Sequence, residues 1–180
     1  MNTIPKVLPL FVALAGLSAT GCDMYDPFPI TAKEAGMPTA KLKVATGTLG
    51  LELLPDNVAD VKVQISDIWM RRATDGAWVA LHSGPVTMSL ADAGGSVDLG
   101  MVYVPEGTYD YVSVQLDSMK VMRNAGWMGV YVEEPELTWQ RQFDVTNDGH
   151  LRLDVVVSRD LEETAAGWVG RPSLSFDLQD

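Results

Sequence analysis

The 180-residue chain has a single cysteine, Cys22, and two histidines, His82 and His150. One cysteine cannot form a disulfide within the chain, so the fold has to be held by its core. It also removes the Cys-x-x-Cys pairs of structural zinc sites, and no His-x-x-x-His pair stands in for them. Basic charge is scarce as well: 13 lysines and arginines face 24 aspartates and glutamates, a net charge of −11. An acidic surface of this kind repels phosphate backbones and anionic head groups, which argues against nucleic acid as a partner and against a basic membrane patch. Apolar length is also limited. Val7 to Gly21 is fifteen residues, which as a helix would reach ~22 Å at ~1.5 Å per residue. The hydrocarbon core of a bilayer is ~30 Å thick, and Pro9 interrupts the run besides.

What that segment does have is the layout of a secretory signal. Lys6 precedes the apolar run, and small residues close it in Leu17-Ser18-Ala19-Thr20-Gly21-Cys22. The small-small-Cys ending resembles the lipobox of bacterial lipoproteins, with Ala19 where leucine is commonest. The resemblance implies that Cys22 is acylated and becomes the first mature residue. It implies a lipid-anchored protein of the bacterial cell envelope, facing the periplasm or the surface, whose membrane partner is reached through that lipid. Residues 1–21 are then the signal peptide. Removing them takes away Lys6 and no acid, so the mature charge is −12 over 159 residues, enough for one domain. Residues 22–38 read as a tether, because Pro27, Pro29 and Pro38 keep the chain extended and no apolar period runs through it.

From residue 39 to 180 the pattern is that of strands. Leu42 and Val44 alternate with Lys41 and Lys43, Val61, Val63 and Ile65 with Lys62, Gln64 and Ser66, and Val112, Val114 and Leu116 with Tyr111, Ser113 and Gln115. Asp75-Gly76 offers a tight turn before Trp78-Val79-Ala80-Leu81. Near the end, Leu137, Trp139, Phe143 and Val145 lead to Asn147-Asp148-Gly149, and Leu151, Leu153 and Val155 lead away, which predicts a hairpin with one buried face. Ser158 is placed to cap a short helix over 159–166, with Gly167 at its exit. Eight to ten short strands with turn signals between them predict an all-β, antiparallel β-sandwich.

The segments Val61-Lys62-Val63-Gln64-Ile65-Ser66-Asp67-Ile68, Gly76-Ala77-Trp78-Val79-Ala80-Leu81 and Val104-Pro105-Glu106-Gly107-Thr108-Tyr109 resemble a bacterial lipoprotein family, domain-of-unknown-function family 4382. The likeness covers roughly residues 40–160, with Val104 where leucine is usual. It implies a lipid-anchored sandwich and carries over no activity.

Catalytic chemistry finds little to work with. No Gly-x-Ser-x-Gly elbow is present, His82 lies in the loop His82-Ser83-Gly84-Pro85, and His150 falls on the outward phase of its strand. Asp144, Asn147 and Asp148 lack the spacing of a calcium loop, so no metal or other cofactor is expected. Met119, Met122 and Met128 invite a Cu(I) reading, yet strand geometry sends the first two to opposite faces and makes core filling the better account. Glu133-Glu134 and Glu162-Glu163 read as solvated charge. An envelope hydrolase using surface carboxylates or a metal therefore stands second.

A binding surface comes first. If valine and leucine fill the core, Tyr109, Tyr111, Trp127 and Tyr131 take the opposite phase and form an outward aromatic face for a glycan, peptide or envelope protein. Tyr109 has a second possible role, locking its turn through the hydroxyl as tyrosines at sandwich corners do. The chain thus reads as a non-enzymatic, lipid-anchored binding protein. Cys22→Ser should abolish membrane fractionation, giving a soluble or unprocessed protein; a cleaved variant that still needs detergent to leave the membrane would overturn the lipid anchor.

Overall fold

The computed structural model describes residues 37–50, 54–91, 96–157 and 161–179. The signal segment, Cys22 and the proposed tether up to residue 36 lie outside them. The strands are β1 (Thr39–Leu49), β2 (Asp60–Arg72), β3 (Trp78–Ser89), β4 (Val97–Pro105), β5 (Gly107–Arg123), β6 (Gly126–Val132), β7 (Glu136–Trp139), β8 (Phe143–Val145), β9 (Gly149–Val156), β10 (Glu162–Thr164), β11 (Gly167–Gly170) and β12 (Ser173–Gln179). They form two sheets. One has four strands in the order β12-β9-β1-β4, and the other has eight, in the order β10-β11-β6-β5-β2-β3 with β7 and β8 also on β5. The fold is an all-β sandwich, with twelve strands in place of the expected eight to ten. The surplus comes from β8, β10 and β11, three or four residues each, which are too short to show a period.

The core lies between the sheets. Leu42 and Val44 of β1 and Leu151, Leu153 and Val155 of β9 face Val61, Val63, Val112 and Val114 of the larger sheet, all essentially without solvent contact. Thr46 takes an inward position on β1 and donates its hydroxyl to the Leu153 carbonyl at 2.5 Å, so its burial leaves no unpaired oxygen. The Asp75-Gly76 turn forms as expected. Gly76 has φ 71°, its N–H donates to Arg72 O at 3.0 Å, and the Asp75 carboxylate accepts from Ala77 N at 3.1 Å.

Two local expectations are corrected. The segment 159–166 is not a helix where it is described. Leu161 is buried, Glu162–Thr164 pairs antiparallel with Gly167–Gly170, and Gly167 with φ 128° closes the turn. Pairing of β11 with β6 and burial of Trp168 outweigh the helical pattern of a stretch only two turns long. The second correction concerns Asn147-Asp148-Gly149, which does not join hairpin partners. β7 and β8 pair with β5 in the larger sheet, whereas β9 pairs with β1 in parallel and with β12 antiparallel in the smaller one. Alternation marks the buried phase of a strand but not its neighbour, and β9, aliphatic along its inner face, sits between two strands. The turn crosses from sheet to sheet, pinned by Lys41 N donating to Asp148 Oδ1 at 2.7 Å. Trp139 and Phe143 still share one interior with Leu151, Leu153 and Val155, approaching from the opposite sheet.

Bulges in the β2–β5 ladder decide which way the long strands face. Pairing jumps from Arg71↔Tyr111 to Arg72↔Tyr109, so Asp110 is an extra residue, and Asp117 is another between Gln64↔Ser118 and Ile65↔Leu116. Each bulge inverts the phase of the strand beyond it. Tyr109 is therefore a core residue and not part of an outward face. It has no exposure, its hydroxyl donates to Pro105 O at 2.7 Å, and its ring stacks on Phe143 at 5.7 Å between centroids. The turn-locking role is the one it plays.

Burial pushes the Tyr109 phenol up to about 12. An unfolded tyrosine ionises near 10, so the neutral ring favours the folded state. Its contribution is intact below about pH 10 and is lost as the pH rises toward 12, by about 2–3 kcal/mol in all. Urea melts should show this alkaline decline in the wild type and a smaller one in Tyr109→Phe, which cannot ionise. An identical decline in both would refute the assignment.

Candidate functional site

The bulge at Asp117 turns Met119 and Val121 inward and leaves Lys120 on the outer face of the larger sheet. β6 continues that face. It follows β5 through a two-residue turn with Asn124 at φ 48° and Ala125 at φ 61°, the left-handed pair a tight hairpin needs. Asparagine tolerates this conformation, whereas alanine loses about 1 kcal/mol there. On β6 the outward residues are Trp127, Gly129 and Tyr131, with Trp127 37% and Tyr131 67% exposed. Four residues at ~3.3 Å separate the two rings by ~13 Å along the strand.

Between them the surface is open. A side chain added at Gly129 or at Gly167 would meet nothing within 4 Å. Trp168 pairs with Val130, which sets Gly167 beside Gly129 on the next strand. The result is a trough with a backbone floor and an aromatic ring on each side. Lys120 pairs with Gly129 and Lys62 with Lys120, so two ammonium groups sit at one end of the floor. The Lys62 Nζ lies 4.3 Å from the centre of the Trp127 ring, a cation–π contact that orients the indole. Arg123 of β5 and Glu163 of β10 are ion-paired. Arg171 holds Glu133 through two hydrogen bonds of 2.6 and 2.8 Å, which keep the Glu133 carboxyl below the usual carboxylate range.

The four aromatics expected on one face are thus divided three ways. Trp127 and Tyr131 share the trough, and Tyr109 is in the core. Tyr111 faces outward but lies eleven residues along β5 from Met122, the partner of Trp127, which is more than ~30 Å at ~3.3 Å per residue. There it meets Trp78 edge to face at 5.5 Å. Arg71 lies 5.0 Å above its ring, clamped by Asp110 at 2.9 and 3.1 Å. This second cluster is closed on itself. Sequence reasoning missed Trp78, and also Lys62 and Gly167 in the trough. The alternation around Trp78-Val79 and Lys62-Val63 carried the signal for the first two, whereas Gly167 depends on the pairing of β11 with β6.

The smaller sheet carries a shallow depression of about 410 Å³ lined by Lys43, Ala45, His150, Arg152, Asp177 and Gln179. Its cations are engaged: Lys43 holds Asp98 at 3.0 Å and Arg152 holds Asp154 at 2.6 Å. The lysine and a hydrogen bond from Gly100 N keep the Asp98 carboxyl low, the backbone bond more than the lysine. Asp177 is the one carboxylate lining this depression, so paired-acid hydrolysis lacks its second group there. His82-Ser83-Gly84-Pro85, expected as a loop, lies within β3, where His82 pairs with Ile68 and its Nε2 sits 3.0 Å from Gly84 O. Among the described residues no three of His, Cys, Asp and Glu gather as metal ligands. Asp144 accepts from Thr108 Oγ1 and Asp148 from Lys41 N, so the two point to different partners. Met119 is buried, whereas Met128 is 43% exposed.

No family model matches the chain, and no curated protein matches it. Among solved structures it is similar to a Bacteroides ovatus protein provisionally named for cell adhesion, at 12% identity and a TM-score of 0.24. The alignment covers 79% of this chain and 45% of that one. The chain therefore spans under half the length of that protein, and a likeness so slight bears on neither fold nor function.

The two outer-face and inner-face tryptophans should separate cleanly. Trp139 stacks on Phe176 at 4.1 Å across the sheets, so Trp139→Ala should cost roughly 3 kcal/mol, the low end for a packed aromatic. Trp127→Ala should cost under about 1 kcal/mol. Denaturant melts that ranked them the other way would show that the trough tryptophan is structural.

Proposed function

We propose that the protein is a lipid-anchored β-sandwich of the bacterial cell envelope, and that it binds an extended ligand without chemically changing it. The observation that carries this reading is the open trough between Trp127 and Tyr131, floored by Gly129 and Gly167. Large apolar rings are costly to leave in water, and here they border exposed glycine backbone where an added side chain would meet nothing within 4 Å among the described residues. The aromatic walls supply contact area with few rotatable bonds to freeze, which suits recognition by stacking. The anchor is supported by the lipobox-like ending at Cys22, and membership of family 4382 by the three segments that resemble it.

Titration of the detergent-solubilised lipoprotein with soluble glycans and peptides, followed by tryptophan fluorescence, tests the proposal. A ligand should shift the emission of Trp127, and Trp127→Ala and Tyr131→Ala should each weaken binding about tenfold, or about 1.4 kcal/mol, with little change in melting temperature. Ligand binding that neither substitution alters would place the site elsewhere and reject the trough.

A further inference from the structure

Resting on the trough as the ligand site, we infer that its ligand is a saccharide chain carrying isolated carboxylates, a uronic-acid glycan read by Lys62 and Lys120. The distribution of charge points to this. The chain is acid-rich, with 24 acids against 13 bases, and its cations are mostly neutralised. Lys43, Arg71, Arg72, Arg123, Arg152 and Arg171 each hold a carboxylate. Lys41, Lys62, Lys120 and Arg141 do not, among the described residues, and of these Lys62 and Lys120 are direct partners on β2 and β5. Like charges directly opposite each other destabilise a sheet. The indole of Trp127 offsets part of that cost at Lys62, and Lys120 forms no ion pair among the described residues to offset it. An anion bound between the two would do so.

The surroundings narrow the class. A peptide that adds to a sheet needs a free strand edge, and β5 covers Gly126–Val130 of β6 on one side while β11 covers Val130–Val132 on the other, which leaves free edges shorter than the about five or six residues usual in a strand. Recognition here therefore runs through ring faces and a bare floor, which suits the flat apolar faces of sugar rings. Dense anions are disfavoured. A polyphosphate would meet the repulsion of a protein with net charge −11 and find only two lysines to neutralise it. At physiological salt that repulsion fades beyond ~8 Å, so carboxylates spaced along a sugar chain can reach the lysines without engaging the acidic remainder.

Calorimetry on the detergent-solubilised lipoprotein decides the matter, using a galacturonate oligomer, a neutral glucose oligomer of similar length and oligoglutamate as probes. The galacturonate oligomer should bind more tightly than either of the others. Lys62→Gln with Lys120→Gln should weaken it about tenfold or more, and Lys62→Glu with Lys120→Glu should abolish it. Raising salt from about 50 to about 500 mM should weaken the wild type and leave the glutamine variant nearly unchanged. Lys41→Gln, on the other sheet, should have no effect. A neutral oligomer that binds as well as the acidic one, lost in Trp127→Ala but indifferent to both lysine pairs, would overturn this inference and keep the trough. Preference for oligoglutamate would overturn it in favour of a peptide. Binding of no probe, with Trp127 unresponsive to all, would overturn both readings.

Discussion

The β2–β5 ladder is the constraint on which the rest of this structure depends. β5 is seventeen residues long, pairs with β2 along nearly all its length and carries β6, β7 and β8 on its other edge. A strand this long cannot stay straight against a second sheet, because sheets twist. The extra residues Ser66, Asp110 and Asp117 absorb the mismatch. Each one also inverts the faces beyond it. The ladder therefore decides at once which side chains form the core and which form the outer surface. Tyr109 turns inward because of Asp110, and Lys120 turns outward because of Asp117.

The second sheet is locked to this ladder by packing, and each sheet is fastened within itself by polar contacts in apolar surroundings. Trp139 and Phe143 from one sheet meet Phe176 from the other, with centroids 4.1 and 4.7 Å from it. The buried Asp60 carboxylate gathers three donors, Val61 N, Ala91 N and Ser89 Oγ, and so fastens the start of β2 to the end of β3. The parallel pairing of β1 with β9 joins residues more than a hundred positions apart. It comes late in any sensible order of assembly, since the entropy of closing so long a loop is met before the contact forms.

Function in this reading follows from what the outer face lacks. Glycines at 129 and 167 remove side chains where the neighbouring strands would otherwise cover their backbone. The Asn124-Ala125 turn sets Trp127 at the edge of that gap, and β6 sets Tyr131 at the far side. At the opposite end of the same face, Arg71 fills the space between Trp78 and Tyr111 and is itself held by Asp110. Each of the two aromatic clusters on this sheet carries a cation, but Trp78 and Tyr111 meet edge to face, whereas Trp127 and Tyr131 stand apart over exposed glycine backbone. That difference is why the open cluster is the one proposed as the site.

Alternation in the sequence by itself determined the class of fold, the turn at Asp75-Gly76, the inward set of β9 and the outward phase of Trp127 and Tyr131. These are local properties, because a period of two states which side chains share a face. The same reasoning placed Tyr109 beside Tyr111, and it failed there because a bulge is a response of one strand to its partner and leaves no mark on the period. It predicted a hairpin at Asn147-Asp148-Gly149 and a helix over 159–166 for a related reason. The phase of a strand is written along the chain, but its neighbour is chosen by which buried surfaces fit. Tertiary structure alone brought Gly167 beside Gly129 and Lys62 beside Trp127, since each pair comes from strands that the chain visits far apart. The face of the sandwich was legible in the sequence, and the trough upon it was made by the pairing of strands.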